Sequence, residues 1–548
     1  MTADSVVGTG LVRHGGRKFS DYLVFNTDHK VIGIQYLVLA FVFFILGGVL
    51  AGLIRAQLAV PDGQVITGST YNLSMTLHGT LMIFLWIIPA FTGAGNYVVP
   101  MMIGANDMAF PKLNALSFWL LIPGGLLMLA SFAVGGAESG WTAYPPLSAT
   151  APLGQTFWAV ALQFIGFSTI FGAINFLVTV FNLRTPSMKL TQMPLLAWAI
   201  VATSLIIVLG TPVLSGALLL LIFQRVLGAQ FFTPAGGGNP LLWQNLFWFY
   251  SHPAVYIMVL PGFGIISEVL PIFSRKPIFG YKLIAFSSMA IAVFGFLVWA
   301  HHMFTSGMDP FLRVPFMITS MIIAVPTGVK IFSWLATIWA GKLRFTTSMM
   351  FALAFVSMFV IGGLSGIFLA SVPIDIHVQD TYFVVAHLHY VLFGGSVMAL
   401  FSGLYLWYPK ITGRMLNERL GQLHFWLTFM GFNLTFFPQH IAGLEGMPRR
   451  VYNYAYTPEF WVWNLLSSLG ALLMAIAVLP FLYNALRSLV VGKVAGPNPW
   501  RAFGLEWTLS SPPPVHNFPT PPVVDGDPYG YGERPVPGTS DPKVQVAA

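Results

Sequence analysis

Asp375-Ile-His-Val-Gln-Asp-Thr-Tyr-Phe-Val-Val-Ala-His-Leu-His-Tyr390 opens a long apolar run and sets two imidazoles inside it, His387 and His389. At 3.6 residues per turn, positions i and i+2 of a helix point roughly 200° apart. The two rings therefore leave opposite faces of one helix and cannot easily share one metal. They read as ligands to two different centres, one on each side. The alternative is a pair of structural histidines, each hydrogen-bonded to a neighbouring helix. Polar groups in lipid are costly and usually functional, so the surrounding chain has to decide.

That chain has 548 residues, 56% hydrophobic and 8% charged, against roughly 25% charged in an ordinary soluble domain. The composition excludes a water-soluble globular protein. Apolar runs long enough to cross a hydrocarbon core are centred near residues 43, 87, 125, 169, 208, 257, 291, 325, 360, 394, 430 and 475. The expected fold is an all-α integral membrane protein, a bundle of twelve transmembrane helices with short connections. Residues 1–30 read as a polar, basic arm, 31–492 as the membrane domain, and 493–548 as a Pro-rich, irregular, solvent-facing tail. No cleavable signal peptide is expected before the first span. Cysteine is absent, which leaves no disulfide, thiolate metal site or covalent haem attachment.

The net charge of +8 does not imply a nucleic-acid partner, because its distribution is that of a membrane protein. With the amino terminus cytoplasmic, Arg17, Lys18, Lys30, Arg275, Lys276, Lys342 and Arg344 fall inside, with others. The outer side keeps Arg55, Arg225, Arg313, Arg449 and Arg450. This positive-inside bias, with an even number of spans, puts both termini in the cytoplasm, and a bacterial plasma membrane is the expected location.

Alternating span direction assigns depths. His78 lies early in the second span and His252 about ten residues into the sixth. His301 and His302 end the seventh, and His387 and His389 lie early in the tenth. All six share the outer half of the membrane. Independent core histidines would have no reason to share a level, whereas metal sites need imidazoles converging from several helices. His252-Pro-Ala-Val-Tyr256 sets an imidazole and a phenol at i and i+4, on one helix face. His252, His301 and His302 supply three nitrogen ligands with an open position, suited to a reactive copper or zinc.

Trp248-Phe-Tyr-Ser-His-Pro-Ala-Val-Tyr256, Trp299-Ala-His-His-Met-Phe304, the Asp380–Tyr390 run and Gly446-Met-Pro-Arg-Arg450 resemble subunit I of the haem-copper oxidases, on the cytochrome c oxidase side of the family. The resemblance covers about residues 25–518. It implies a proton-pumping oxidase that reduces dioxygen to water, with two haems of a type and one copper. His78 and His389 would ligate the low-spin haem, His387 the high-spin haem, and His252, His301 and His302 the copper. Tyr256 would be joined covalently to His252 and would give an electron and a proton as the oxygen–oxygen bond breaks. Arg449 and Arg450 would pair with haem propionates, Arg55 would touch the low-spin haem's formyl group if that haem is of type a rather than type o, and Trp248 would lie beside the copper.

Two proton routes are expected. Lys330, late in the eighth span, would form one with Thr327, Ser267 and Tyr256, with Glu268 near its mouth. Its structural alternative is snorkelling to the inner interface. Asp107 on an inner loop would open the second, with Asn96, Asn114, Tyr36 and Ser168 leading inward. Where many relatives end that route in a glutamate, this chain has Ala254. Tyr250 and Ser251 resemble the branch in which a Tyr-Ser pair replaces it. A hydroxyl relays a proton but does not hold one near neutral pH as a carboxylate can.

Gln379 stands where relatives commonly place a magnesium- or manganese-binding histidine, leaving Asp380 as the possible ligand. Gln57 stands where some relatives use a glutamate near a calcium or sodium site, and no such site is expected. The polar pattern that marks quinol oxidases is replaced by Leu46, Leu50, Thr70 and Leu73. Cytochrome c is then the expected donor, through a subunit II carrying a dinuclear copper centre, with subunit III and small subunits alongside. A twelve-span secondary transporter is the rival from another class. It predicts repeated halves around a midplane site, and neither is visible.

Overall fold

Asp28 accepts a hydrogen bond from the backbone N–H of Lys30 and so caps the first membrane helix, as short polar side chains do at helix starts. Thr67, Asn239, Asp309, Thr346, Thr381, Asn417 and Thr457 cap later helices in the same way. Pro240, Pro310 and Pro458 sit at the first helical position, where the missing N–H costs nothing.

The computed structural model describes residues 17–524 and 526–531. Twelve long helices carry the fold: α1 (His29–Gln57), α2 (Gly68–Met102), α3 (Pro111–Val134), α4 (Gly154–Asn182), α5 (Leu195–Leu227), α6 (Pro240–Ser274), α7 (Tyr281–Met303), α8 (Pro310–Ile338), α9 (Thr347–Ala370), α10 (Tyr382–Thr412), α11 (Glu418–Leu444) and α12 (Pro458–Val491). Eleven of them are, among the described residues, long and apolar enough to cross a membrane. The remaining one, α11, has 27 residues, about 40 Å at 1.5 Å per residue. Gln422, His424, Asn433, Gln439 and His440 dilute its apolarity, and its His424 and Gln439 are buried against neighbours.

The centre of the bundle is α6, with 89% of its membrane window buried, against 22% for the peripheral α1 and α12. Small residues set the closest helix approaches, as in membrane bundles generally. A Cβ on Gly33 of α1 would stand 2.8 Å from the carbonyl oxygen of Gly93 on α2. The two helices that carry His78 and His389 each contain a π-helical segment just beyond the histidine, Leu81–Ile87 and Leu392–Val397. Such segments recur at functional sites, where they re-aim side chains.

The tail corrects one expectation. It is irregular, but through Tyr531 it is not solvent-facing. Phe503, Trp507, Asn517, Phe518, Tyr529 and Tyr531 are buried against the ends of the helices. Asn517 donates to the Ala105 carbonyl, and the Pro522 carbonyl accepts from Thr185. Apolar and aromatic residues spaced through the Pro-rich run supply the packing surface that its overall composition hides. Residues 532–548, also assigned to the tail, lie outside the described residues.

Candidate functional site

The helices enclose a cavity of about 1720 Å³, well beyond the roughly 300–1,000 Å³ of an ordinary small-molecule pocket. His78, His252, His301, His302, His387 and His389 all line it. The rings of His78 and His389 face each other nearly parallel, 11° apart with centroids separated by 6.4 Å. A metal ion held by both rings at about 2 Å would fit that gap.

The hydrogen bonds fix which nitrogen each ring presents. A carbonyl can only accept, so the Nδ1 atoms of His78, His387 and His389 are N–H donors to Gly47, Gly362 and Val385, at 2.9, 2.9 and 2.8 Å. Their Nε2 lone pairs are left for a metal, the arrangement that orients metal-bound imidazoles. His387 is also 3.1 Å from the Ser365 hydroxyl, and His389 stacks on Phe436. The two rings of the quoted stretch thus engage different helices, α9 for His387 and α2 for His389.

On the far side of the cavity, His252, His301 and His302 bring one ligand atom each within 4.8 Å of one another. The backbone breaks into a short 3-10 turn at Trp299–Met303, which lets adjacent histidines reach the same place. His301 pairs with Ser320 at 2.8 Å, and Trp248 stacks on His302 with centroids 3.8 Å apart. The Tyr256 hydroxyl lies 3.0 Å from Nε2 of His252. Three neutral nitrogen donors and an adjacent phenol fit a copper ion with an open coordination position.

Three arginines, Arg55, Arg449 and Arg450, also line the cavity. Arg55 donates through Nη2 to Asn464, while its buried Nε and Nη1 have no hydrogen-bond partner among the described residues. Burial, then the neighbouring Arg449 charge, pushes the Arg450 guanidinium down to about 10. Its hydrogen bond is to the neutral Thr142. Both guanidinium groups fit acidic or carbonyl substituents of a large planar ligand.

Arg449 instead takes Asp380 in a paired contact through Nε and Nη2, at 2.7 and 2.5 Å. Both bonds fall on one carboxylate oxygen of Asp380, Oδ1. Gln57 clamps its own loop. Its amide donates to Gly63 and Tyr452, and its carbonyl accepts from Val65 and Ile66.

The proton-route residues are only partly in contact. Lys330 does not bond Thr327 or Ser267. Its Nζ donates to the Ile284 carbonyl at 2.8 Å and the Ser288 hydroxyl at 2.6 Å, both on α7. Thr327 bonds back to Ile323, and Ser267 accepts from Trp334 at 3.0 Å. On the other route Tyr36 donates to Ser117, and Ser168 donates to the Ser117 carbonyl. The Asn114 amide and the Ser251 hydroxyl are buried without partners among the described residues, as water-bridged groups are. Asn96 bonds its own helix through Thr92. Burial pushes the Asp107 carboxyl up to about 6. Tyr250 is buried on α6 immediately before Ser251. Sequence reading missed Ser117 and Ser288, because a lone serine in an apolar helix carries no signal of what it faces.

Two histidine-lined centres flanking one large cavity in a polytopic helical bundle define a membrane metalloprotein. Its fold is that of a structure described as a heme-copper terminal oxidase dimer, with a TM-score of 0.72 at 20% identity over 86% of each chain. The chain matches the family described as Cytochrome C and Quinol oxidase polypeptide I over residues 31–473. It is 56% identical to cytochrome c oxidase subunit 1 of Thermostichus vulcanus over 517 residues, 94% of this chain and 93% of that one. The same identity holds with the subunit 1 of a Synechocystis species over 95% and 94%. With that of a Bacillus species it is 49% over 92% and 83%. The chain belongs to this haem-copper oxidase family. It is the catalytic subunit of a multi-subunit terminal oxidase, an oxidoreductase of the membrane whose family works with haem and copper.

Proposed function

We propose that the subunit reduces dioxygen to water with electrons from cytochrome c and couples this to proton pumping. The observation that carries the reading is the tautomer set of the quoted stretch. His389 faces His78 and His387 faces the other way, each with its Nδ1 proton committed to a carbonyl. His78 and His389 would hold the low-spin haem, His387 the high-spin haem, and His252, His301 and His302 the copper, with haems of a type. When bound, these groups supply electron transfer and the reduction of dioxygen.

The protein's own part is positioning and proton supply. Tyr256, hydrogen-bonded to His252, is placed to give a proton and an electron at the copper side. The one-residue spacing between His387 and His389 makes α10 a short bridge between the two centres. Arg450 and the free edge of Arg55 hold anionic and carbonyl substituents. Asp380 pairs with Arg449 through one of its two carboxylate oxygens. Leu46, Leu50, Thr70 and Leu73 leave no quinol site of the familiar kind, so a subunit II with a dinuclear copper centre delivers the electrons, with subunit III and smaller subunits completing the complex. Both termini lie on the cytoplasmic side of a bacterial plasma membrane.

A reduced-minus-oxidised optical spectrum of the purified complex tests the core of this reading. Two haem signals are expected, one lost in His78→Ala, and a spectrum without haem bands overturns it. Oxidation of reduced cytochrome c but not of quinol checks the donor. Tyr250 and Ser251 relay protons in place of the absent glutamate. In vesicles, Tyr250→Phe with Ser251→Ala should eject fewer protons per electron, and unchanged pumping removes that assignment.

A further inference from the structure

The His387 ring rests on the face of α9 that carries Gly362, Ser365 and Gly366. A carbonyl oxygen has two lone pairs, and that of Gly362 takes two donors. It accepts from Nδ1 of His387 at 2.9 Å and from the Ser365 hydroxyl at 2.9 Å. The Ser365 oxygen also lies 3.1 Å from the same Nδ1. Its own proton is committed to Gly362, so it turns a lone pair to the ring. The Nδ1–H of His387 therefore has two acceptors, a carbonyl oxygen and a hydroxyl oxygen. A hydroxyl that is itself donating is the better acceptor for it. Ser365 is buried, and a Cβ on Gly362 would stand 2.9 Å from the Val391 nitrogen of α10. The close packing of the two helices fixes the distance between hydroxyl and ring.

The two facing imidazoles have no such partner. Among the described residues, Nδ1 of His78 bonds only the Gly47 carbonyl, and Nδ1 of His389 only the Val385 carbonyl one turn back. On the opposite wall of the cavity His301 repeats the hydroxyl arrangement. Ser320 accepts from its Nδ1 at 2.8 Å and donates to the Phe316 carbonyl at 2.5 Å. A serine thus backs one imidazole on each of these two walls and neither imidazole of the His78–His389 pair.

We propose that Ser365 is a positioning residue that sets how strongly His387 binds its metal. This rests on the reading of His387 as the ligand of the high-spin haem. A second acceptor on Nδ1–H leaves more electron density at Nε2 and makes the imidazole a stronger donor. Hydrogen bonding behind an axial ligand is one of the means by which a protein tunes haem potential. Ser365 strengthens the axial bond and lowers the potential of the haem that His387 holds, while His78 and His389, backed by one carbonyl each, are not adjusted in this way.

Resonance Raman spectroscopy of the fully reduced purified complex reads the iron–histidine stretch, and redox titration reads the haem potentials. Ser365→Ala should move the stretch to lower frequency and raise the potential of one haem, with haem content unchanged. Ser365→Thr keeps a hydroxyl able to bond the carbonyl one turn back and should return both to the parent values. A parent frequency in Ser365→Ala, or a move to higher frequency, overturns the proposal. Should Ser365→Ala not assemble with haem, Ser365→Cys keeps a side chain of similar size with only a weak acceptor. It should show the same downward move, and a parent frequency there overturns the proposal equally. His387→Ala separates this from the reading beneath it. Loss of the stretch supports His387 as the ligand, and an unchanged stretch overturns that assignment whatever Ser365 does.

Discussion

Single atoms set the aim of His387. A Cβ on Gly366 would lie 2.9 Å from Cε1 of its ring, closer than side-chain carbons approach, so only glycine lets the ring rest against α9 with Nδ1 bonded to Gly362. Gly366→Ala should tip the ring, at about 1–3 kcal/mol of overpacking strain. The expected result is reduced haem content and a displaced optical band with helix content unchanged by circular dichroism. Tyr256→Phe keeps the ring and removes the acidic proton. Turnover should fall by at least about a hundredfold while the reduced-minus-oxidised spectrum stays that of the parent, a split measured by oxygen uptake beside optical titration. At this scale the sequence was informative about ligand identity, because histidine is rare in lipid and costly there. It was silent on the tautomers, which depend on Gly47, Gly362 and Val385 carbonyls that no side-chain pattern encodes.

Among the elements, α1 and α2 show how packing rather than hydrophobicity positions the site. Lipid tails are as apolar as the helix faces, so close backbone approach has to supply the attraction. Gly33→Val would drive a branched side chain into the Gly93 carbonyl, which a bare Cβ already reaches at 2.8 Å. It should push α1 from α2 and loosen the Gly47 carbonyl that holds His78. A thermal midpoint lowered by several degrees in detergent, with a weakened low-spin haem band, is the expected outcome. The helix α11 shows the limit of reading spans by apolarity, since its His424 and Asn433 meet Tyr405 and Tyr390 inside the bundle. The π segments after His78 and His389 were likewise not legible, because a π turn is fixed by the packing that it relieves.

For the whole molecule, the tail and the helix ends that it covers should respond to pH. Burial pushes Asp107 up to about 6 and, against the attraction of Lys410, Glu506 up to about 7. Folded values above the ordinary carboxylate range mean that the native state binds these protons more readily than the unfolded chain. Stability should therefore rise as pH falls through 7 and then 6, and the cost of both charges is fully present above about pH 8. Asp28 has the opposite sign. Burial opposes its ionisation, but the neighbouring charges, Lys30 first, then His29 and Arg17, hold it below the usual range, so its contribution is intact down to the ordinary value of about 4 and is lost below it. The thermal midpoint in detergent should peak between about pH 4 and 6 and decline toward 8, with the decline flattened in Glu506→Gln. A flat midpoint from 6 to 8 would count against buried acids under the tail.

The amino-acid sequence by itself determined the membrane class, the run of spans and the six histidines that gather on one cavity. All three follow from hydropathy and helix periodicity, which act between neighbours along the chain. Only the tertiary structure decided the rest. It turned Lys330 toward Ser288, gave Asp380 to Arg449, and folded a Pro-rich tail back until Tyr529 met Glu268. Those contacts join residues tens to hundreds of positions apart. A hydrogen bond between two such groups depends on where their helices come to rest, and neither residue's neighbours in sequence record it.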